Sequence, residues 1–332
     1  MYVGTQVAAR NDTEYRTWAQ LGLKHICGYP PGRWKEWTRP ALEEYREKVE
    51  KYGLVLDMVT LPLNSSRIER QKESGEAYNI MLGKSPQRDR EIEAINKFIE
   101  GCARAGIPAV KYNMNIIGIP RTKDTLGRGG SRNSTFRWAE ADQKAKPTIA
   151  GVVDEDENWE RIDYFLERVV PVATQNKVRL ACHPHDPYTP PGYLGVTRVI
   201  GTVDGLKKFV QMRESPYHGL NFCQGTVSEM LDSPGEEIYD VIRWFGKRKK
   251  IFNVHFRNIR GRKLDFVEVF PDEGSVDMLK AMQAYRETGY KYMLMPDHVP
   301  HISGANAQGV AFSYCYGYIT ALLQAVGEPL GQ

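Results

Sequence analysis

The chain has few cysteines, and their spacing does not indicate a disulfide framework. The five are odd in number, lie far apart and include no Cys-x-x-Cys pair: Cys27, Cys102, Cys182, Cys223 and Cys315. This pattern excludes the small secreted proteins whose folds depend on disulfides. We therefore expect a protein that works in a reducing compartment, the cytoplasm.

Long hydrophobic runs and a strong excess of charge are also missing. No segment approaches the roughly 20 apolar residues of a membrane helix, and residues 1–10 lack the features of a secretory signal. The net charge of +4 is small for 332 residues. The basic run at residues 247–250 ends a predicted helix, where cations offset the negative end of the helix dipole. The composition therefore indicates a soluble protein with no membrane and no nucleic-acid partner.

No linker rich in Pro, Gly or Ser and no sequence repeat divides the chain. Short β-type runs alternate with amphipathic helical segments throughout, which predicts a parallel sheet. The predicted strands are residues 2–7, 24–27, 54–60, 109–113, 178–182, 220–223, 251–255 and 292–295. The predicted helices include residues 40–52, 88–105, 159–173, 203–213, 236–245, 275–288 and 308–326.

Eight β/α units favour a closed fold. An open, doubly wound sheet would give the same alternation, but no Gly-x-Gly-x-x-Gly turn follows the first strand. We therefore predict an α/β fold, a (β/α)8 TIM barrel, with residues 1–332 forming a single catalytic domain. Two long connections, at residues 62–87 and 114–158, follow strands on the side where barrel enzymes build their active sites. We expect them to form walls of the site.

The ends of the last four predicted strands carry residues that bind metals. In strand order these are His183, Cys223, His255 and Asp297. In a closed barrel the four ends surround one axis, so the side chains converge. Two imidazoles, a thiolate and a carboxylate would form a coordination set that leaves room for substrate oxygens. Each residue alone also has a structural interpretation, such as a hydrogen-bonded His or a buried apolar Cys, but four together favour a metal site.

Several cations lie near this predicted site. Arg257 follows His255 by two residues and shares its strand face, so its planar guanidinium is predicted to bind a substrate carboxylate. The alternative for Arg257 is a structural ion pair at the barrel mouth. Lys111 and Asn113 share the inward face of the fourth strand. The long connection that follows carries further cations, which are expected either to reach over an acidic substrate or to be solvated: Arg121, Arg128, Arg132 and Arg137.

Several segments together carry a resemblance to a known family. They are His183-Pro184-His185-Asp186-Pro187, Asn221-Phe222-Cys223-Gln224-Gly225-Thr226, Val254-His255-Phe256-Arg257-Asn258, Met295-Pro296-Asp297-His298, Val110-Lys111-Tyr112-Asn113 and Gly32-Arg33-Trp34. Taken in their order along the chain, these segments resemble the mannonate dehydratase family, most specifically at the last four strands. The resemblance covers nearly the whole chain.

The resemblance implies a fold, a metal and a reaction. It implies a xylose-isomerase-like TIM barrel in which Mn²⁺ or Fe²⁺ is bound by the residues that match His183, Cys223, His255 and Asp297. It also implies elimination of water from D-mannonate to give 2-keto-3-deoxy-D-gluconate. No site for an organic cofactor is predicted, and the expected ligand is a sugar acid or a sugar.

The resemblance assigns acid/base chemistry to the residue that matches His298. A histidine suits this task because its ordinary pKa of about 6.5 lies near working pH. The alternative for His298 is a hydrogen bond that orients the neighbouring ligand Asp297. His185 and Tyr314 are further catalytic candidates, should His298 act only on the leaving hydroxyl group.

The chain also departs from the family pattern. His185 stands where the family has an aspartate, and residues 28–31 read Gly-Tyr-Pro-Pro where the family has His-His-Ile-Pro. Which aromatic residue of the last helix matches a family tyrosine stays open among Phe312, Tyr314 and Tyr316. A sugar isomerase, epimerase or other lyase, and a non-catalytic carbohydrate-binding barrel, are therefore the alternative functions. A homo-oligomer is compatible with the sequence.

Overall fold

The computed structural model of the chain describes residues 1–328. The strands are β1 (Tyr2–Thr5), β2 (His25–Gly28), β3 (Val55–Thr60), β4 (Ala109–Asn113), β5 (Thr125–Leu126), β6 (Arg132–Asn133), β7 (Thr135–Arg137), β8 (Arg179–His183), β9 (His218–Cys223), β10 (Ile251–His255), β11 (Asn258–Arg262), β12 (Asp265–Val269) and β13 (Met293–Met295). The helices are α1 (Asp12–Gln20), α2 (Arg39–Glu50), α3 (Ile68–Ser74), α4 (Pro86–Arg104), α5 (Glu155–Asn176), α6 (Val203–Gln211), α7 (Gln224–Ser228), α8 (Pro234–Lys247), α9 (Met278–Glu287) and α10 (Ala307–Ala325). None of these helices is long and apolar enough to cross a membrane.

Eight of the strands close into a parallel barrel, in the order β1-β13-β10-β9-β8-β4-β3-β2. The predicted TIM barrel is thereby confirmed, and each predicted strand corresponds to one barrel strand. The register pairs His255 with both Cys223 and Met295, and Asn113 with His183. The carboxyl ends of strands β8, β9, β10 and β13 therefore lie side by side.

The barrel strands are buried on both faces because each faces the barrel interior on one side and helices on the other. All residues of β9 and of β10 are buried. One helix begins at a pair of reciprocal cap hydrogen bonds: Asp154 accepts from the backbone N–H of Glu157 at 2.9 Å, and Glu157 accepts from that of Asp154 at 3.2 Å. This reciprocal pair starts α5.

The two long connections have structure of their own. Residues 62–87 contain α3, and residues 114–158 contain β5, β6 and β7. Strand β7 pairs with β12, which pairs with β11 in an antiparallel sheet that follows β10. This small sheet brings a buried residue of β12, Glu268, to the barrel mouth.

Candidate active site

Four side chains meet at the carboxyl ends of β8, β9, β10 and β13. One ligand atom from each lies within 4.8 Å of the ligand atoms of the others, in the set His183, Cys223, His255 and Asp297. The structure thus brings together all four residues that the sequence placed at the predicted metal site. We refer to them as the four-residue group.

The hydrogen bonds of the two histidines leave one ring nitrogen of each free for a metal. His183 Nδ1 lies 2.7 Å from the carbonyl oxygen of Pro184 and donates to it, so Nε2 carries the lone pair. His255 Nε2 lies 2.9 Å from Gln6 Oε1. His255 Nδ1 is 3.3 Å from Asp297 Oδ2 and has no hydrogen-bond partner among residues 1–328. Metal-binding histidines are typically oriented by such bonds.

The anionic members of the group are stabilised as anions. Burial opposes ionisation of Cys223, but the charge of Arg257 and a contact with His255 outweigh it and lower the pKa of the thiol. Burial likewise opposes ionisation of Asp297, yet His255 and His298 hold the pKa of this carboxyl well below its usual range. Burial lowers the pKa of His183, which keeps its imidazole neutral. These protonation states are those that metal binding requires, so the donor set fits a divalent ion.

Arg257 does not face an open substrate site. Its side chain is only 1% exposed and lies among carboxylates of the protein itself. Its guanidinium contacts Glu229 at 2.7 Å, Asp186 at 3.0 Å and Glu268 at 3.0 Å. This placement favours the structural ion pair over the predicted contact with a substrate carboxylate, because the protein already supplies the partners.

Arg121 joins the same network instead of lying in solvent. Its Nη2 is 2.7 Å from Asp186 Oδ1, and it also contacts Glu268. We call Arg121, Asp186, Glu229, Arg257 and Glu268 the buried ion network. Groups that are buried with opposite charges in contact hold one another in place, and removal of one leaves the others unpaired.

His298 borders both the four-residue group and an open cavity. Its Nδ1 lies 2.9 Å from Glu268 Oε2, and its Nε2 is 3.8 Å from Asp297 Oδ2. The side chain is 37% exposed and lines a cavity of about 540 Å³ together with Asp297 and Phe312. Burial would lower the pKa of His298, but Asp297 and Glu268 raise it to about 10. The ring is thus oriented by Glu268 and faces a space that a substrate can enter.

Two other catalytic candidates lie elsewhere. His185 is buried, its Nε2 donates to the carbonyl oxygen of Met114 at 2.7 Å, and burial lowers its pKa to about 3. Tyr314 is 43% exposed and packs edge-on against Phe270. Neither is part of the four-residue group. On the same helix, the Tyr316 hydroxyl forms a 2.7 Å hydrogen bond with Thr5 Oγ1.

Gln6 and Glu268 contact the site, although no motif singled them out. Gln6 follows β1 and donates from Nε2 to Asp297 Oδ1 at 2.6 Å. Its position just after the first strand, at the same barrel end as the four ligands, is the signal that could have identified it. Glu268 lies on the small sheet after β10, and no comparable signal marks it in the sequence.

The closed barrel with a metal-competent group at its mouth defines a TIM barrel of the xylose-isomerase type. A solved xylose isomerase domain protein from Planctomyces limnophilus superimposes with a TM-score of 0.62 at 12% identity, covering 98% of this chain and 97% of that one. A crystal structure of mannonate dehydratase from Streptococcus suis serotype 2 superimposes with a TM-score of 0.82 at 22% identity, covering 100% of this chain and 97% of that one.

Sequence comparison identifies the family. The D-mannonate dehydratase (UxuA) family matches residues 140–327. The mannonate dehydratase of Thermotoga maritima is 30% identical over 308 residues, which cover 82% of this chain and 80% of that protein. That of Endomicrobium trichonymphae is 29% identical over 303 residues, covering 80% and 77%. The chain belongs to the mannonate dehydratase family and is an enzyme of the hydro-lyase class, which confirms the resemblance.

Proposed function

We propose that this chain is a metal-dependent hydro-lyase that removes water from D-mannonate to give 2-keto-3-deoxy-D-gluconate. The observation that carries the proposal is the position of His298. This histidine lies between the four-residue group and a cavity of about 540 Å³. A metal site and a proton-transferring group therefore border the same space, as elimination from a hydroxy acid requires.

We propose Mn²⁺ or Fe²⁺ as the metal, bound by His183, Cys223, His255 and Asp297. A thiolate with two imidazoles favours these ions over Mg²⁺, which prefers oxygen ligands. When bound, such an ion stabilises the negative charge that develops on the substrate as the proton α to the carboxylate is removed.

Three side chains have the remaining roles in proton transfer and in orienting the site. His298 moves a proton at Nε2, the ring nitrogen that Glu268 does not engage. Glu268 accepts from Nδ1 and so fixes the orientation of the ring. Gln6 donates to Asp297 and holds this carboxylate toward the other three members of the group.

We propose that the enzyme works in the cytoplasm. All five cysteines are free and buried, an arrangement that suits the cytoplasm, where thiols stay reduced. We also propose that residues 1–332 act as one catalytic domain on a small sugar acid.

The test is a product assay with Mn²⁺-loaded protein against a panel of aldonic acids, uronic acids and keto-sugars. We expect D-mannonate to give a keto-deoxy acid, detected as a carbonyl compound that semicarbazide traps. The matched control is the same protein after treatment with a chelator, which should form no product. A ketose or an epimer as the product would instead identify an isomerase or epimerase, and binding without turnover would identify a carbohydrate-binding protein.

A further inference from the structure

A buried lysine lies on a different side of the four-residue group from Arg257, since β4 and β10 stand three places apart in the barrel. Lys111 is on β4, and its ammonium group donates to Gln6 Oε1. The same Gln6 contacts two members of the group, Asp297 and His255. Lys111 is therefore connected to the predicted metal ligands through one side chain, that of Gln6.

Lys111 differs from Arg257 in its partners. No carboxylate of residues 1–328 forms a salt bridge with Lys111, whereas Arg257 contacts three within 3.0 Å and lies 3.8 Å from a fourth, that of Asp297. Burial opposes a charge on Lys111, but neighbouring groups including Tyr29 and Asp297 outweigh it and raise its pKa. The lysine is thus a buried, charged group whose charge is not matched by a carboxylate in contact.

The space beside Lys111 can hold part of a ligand. Lys111 lines a cavity of about 260 Å³ together with Tyr29, Asn64, Glu76 and Asn113. Asn113 is the register partner of His183, so the wall of this cavity stands at the level of the four-residue group. Amide, phenol and carboxyl groups in this wall suit the hydroxyl groups of a sugar acid.

We propose that Lys111, and not Arg257, supplies the positive charge that binds the carboxylate of the substrate. An anion that approaches the metal here meets an ammonium group with no carboxylate in contact, while the guanidinium of Arg257 is already neutralised. A buried charge without a counter-ion is costly, and an anionic substrate supplies that counter-ion. This inference rests on the proposed function in that it takes a sugar acid as the substrate.

The experiment compares binding of an acid with binding of its uncharged amide. Dissociation constants for D-mannonate and for D-mannonamide are measured on Mn²⁺-loaded wild type and Lys111→Met, with the metal content of each sample determined. Lys111→Gln is a second variant whose amide can still donate to Gln6. The matched control is Lys250→Met, which removes another buried lysine at the other end of the barrel, where Nζ donates to the carbonyl oxygen of Ser215 at 2.9 Å.

We expect both Lys111 variants to keep their metal and to lose the preference for the acid by about tenfold or more, since a hydrogen bond to a charged group is lost. Binding of the amide should change much less, and Lys250→Met should keep the wild-type preference. An unchanged preference in the Lys111 variants would overturn the inference, and so would loss of the metal together with the preference.

Failure of this inference and failure of the proposed function give different results. If wild type prefers the acid through Lys111 but forms no keto-deoxy product, the proposed function is wrong and this inference stands. If wild type forms the product and Lys111→Met keeps the preference for the acid, the proposed function stands and Lys111 is not the carboxylate-binding residue.

Discussion

The surroundings of the buried cation differ between the two sides of the four-residue group. On one side, Arg257 is 1% exposed and contacts three carboxylates of the buried ion network. On the other side, Lys111 donates to Gln6, lies next to Tyr29 and borders a cavity. Lys111 lies on the barrel strand β4, and Arg257 follows the end of the barrel strand β10 by two residues. The role of such a cation is therefore decided by what the neighbouring elements place around it, and not by its own position on a strand.

The difference has an energetic consequence. Removing one member of a buried ion network leaves charges that neither water nor a partner compensates. Removing Lys111 leaves Gln6 Oε1 with His255 as a remaining partner and leaves no carboxylate unpaired. We therefore expect the Arg257 side to contribute mainly to stability and the Lys111 side mainly to binding.

The largest expected effect concerns His298, which connects the ion network to the open cavity through Glu268. His298→Asn should lower kcat for D-mannonate by about 10² to 10⁴, since an amide cannot transfer a proton. The metal content should stay at the wild-type level. Turnover and exchange of the α proton with deuterated solvent are measured together. Exchange that survives without elimination would mean that another group removes the α proton, and near-normal turnover would exclude His298 from the mechanism.

The next largest effect should be a difference in stability between variants of Arg257 and of Lys111. Arg257→Met should lower the free energy of unfolding by about 3 to 5 kcal/mol, because it removes one of the two cations that Asp186 and Glu268 share and the closer partner of Glu229. Lys111→Met should cost clearly less. Urea unfolding of the two variants checks this. Equal losses of stability would contradict the contrast between the two sides.

A glycine tests how closely Arg257 is packed. A Cβ atom on Gly225 would lie 2.7 Å from Arg257 Cζ, so Gly225→Ala should lower the free energy of unfolding by about 1 to 3 kcal/mol. The control is Gly317→Ala on α10, where a Cβ atom would have no neighbour within 4 Å. There, alanine should stabilise the helix by up to about 1 kcal/mol. Thermal unfolding that ranks the two variants in the other order would show that Arg257 can move away.

The smallest effect is expected at the tyrosines of α10. Tyr314→Phe should change kcat less than twofold and stability by about 0.5 kcal/mol or less, since Tyr314 is exposed and outside the four-residue group. Tyr316→Phe should cost about 1 kcal/mol, because it removes the buried hydrogen bond with Thr5. A large loss of turnover in Tyr314→Phe would place this tyrosine in the mechanism after all.

The sequence predicted the fold and the convergence of the four ligands for one physical reason. Successive parallel strands have one polarity, so residues at their ends, such as Cys223 and His255, meet whatever their distance along the chain. The surroundings of Arg257 were not predictable in this way. Glu229 follows a short helix and Glu268 lies in a separate antiparallel sheet, and no periodicity indicates that both turn toward the same guanidinium.

The conformation of the long connections could not be predicted from the sequence pattern either. Arg121 was expected to reach over a substrate or to be solvated, but it is buried against Asp186 because β7 pairs with β12. Pairing between strands from distant connections depends on tertiary contacts that local composition does not encode. Gln6 was within a predicted strand, yet its contact with Asp297 depends on closure of the barrel between β1 and β13.

The proposed activity depends most on one divalent metal bound by His183, Cys223, His255 and Asp297, and elemental analysis of purified protein tests this directly. Wild type should bind about one Mn²⁺ or Fe²⁺ per chain, and the double variant Cys223→Ala, His255→Ala should bind almost none. Cys315→Ala, which removes a buried thiol outside the group, should keep the wild-type content. Undiminished metal in the double variant would contradict the account.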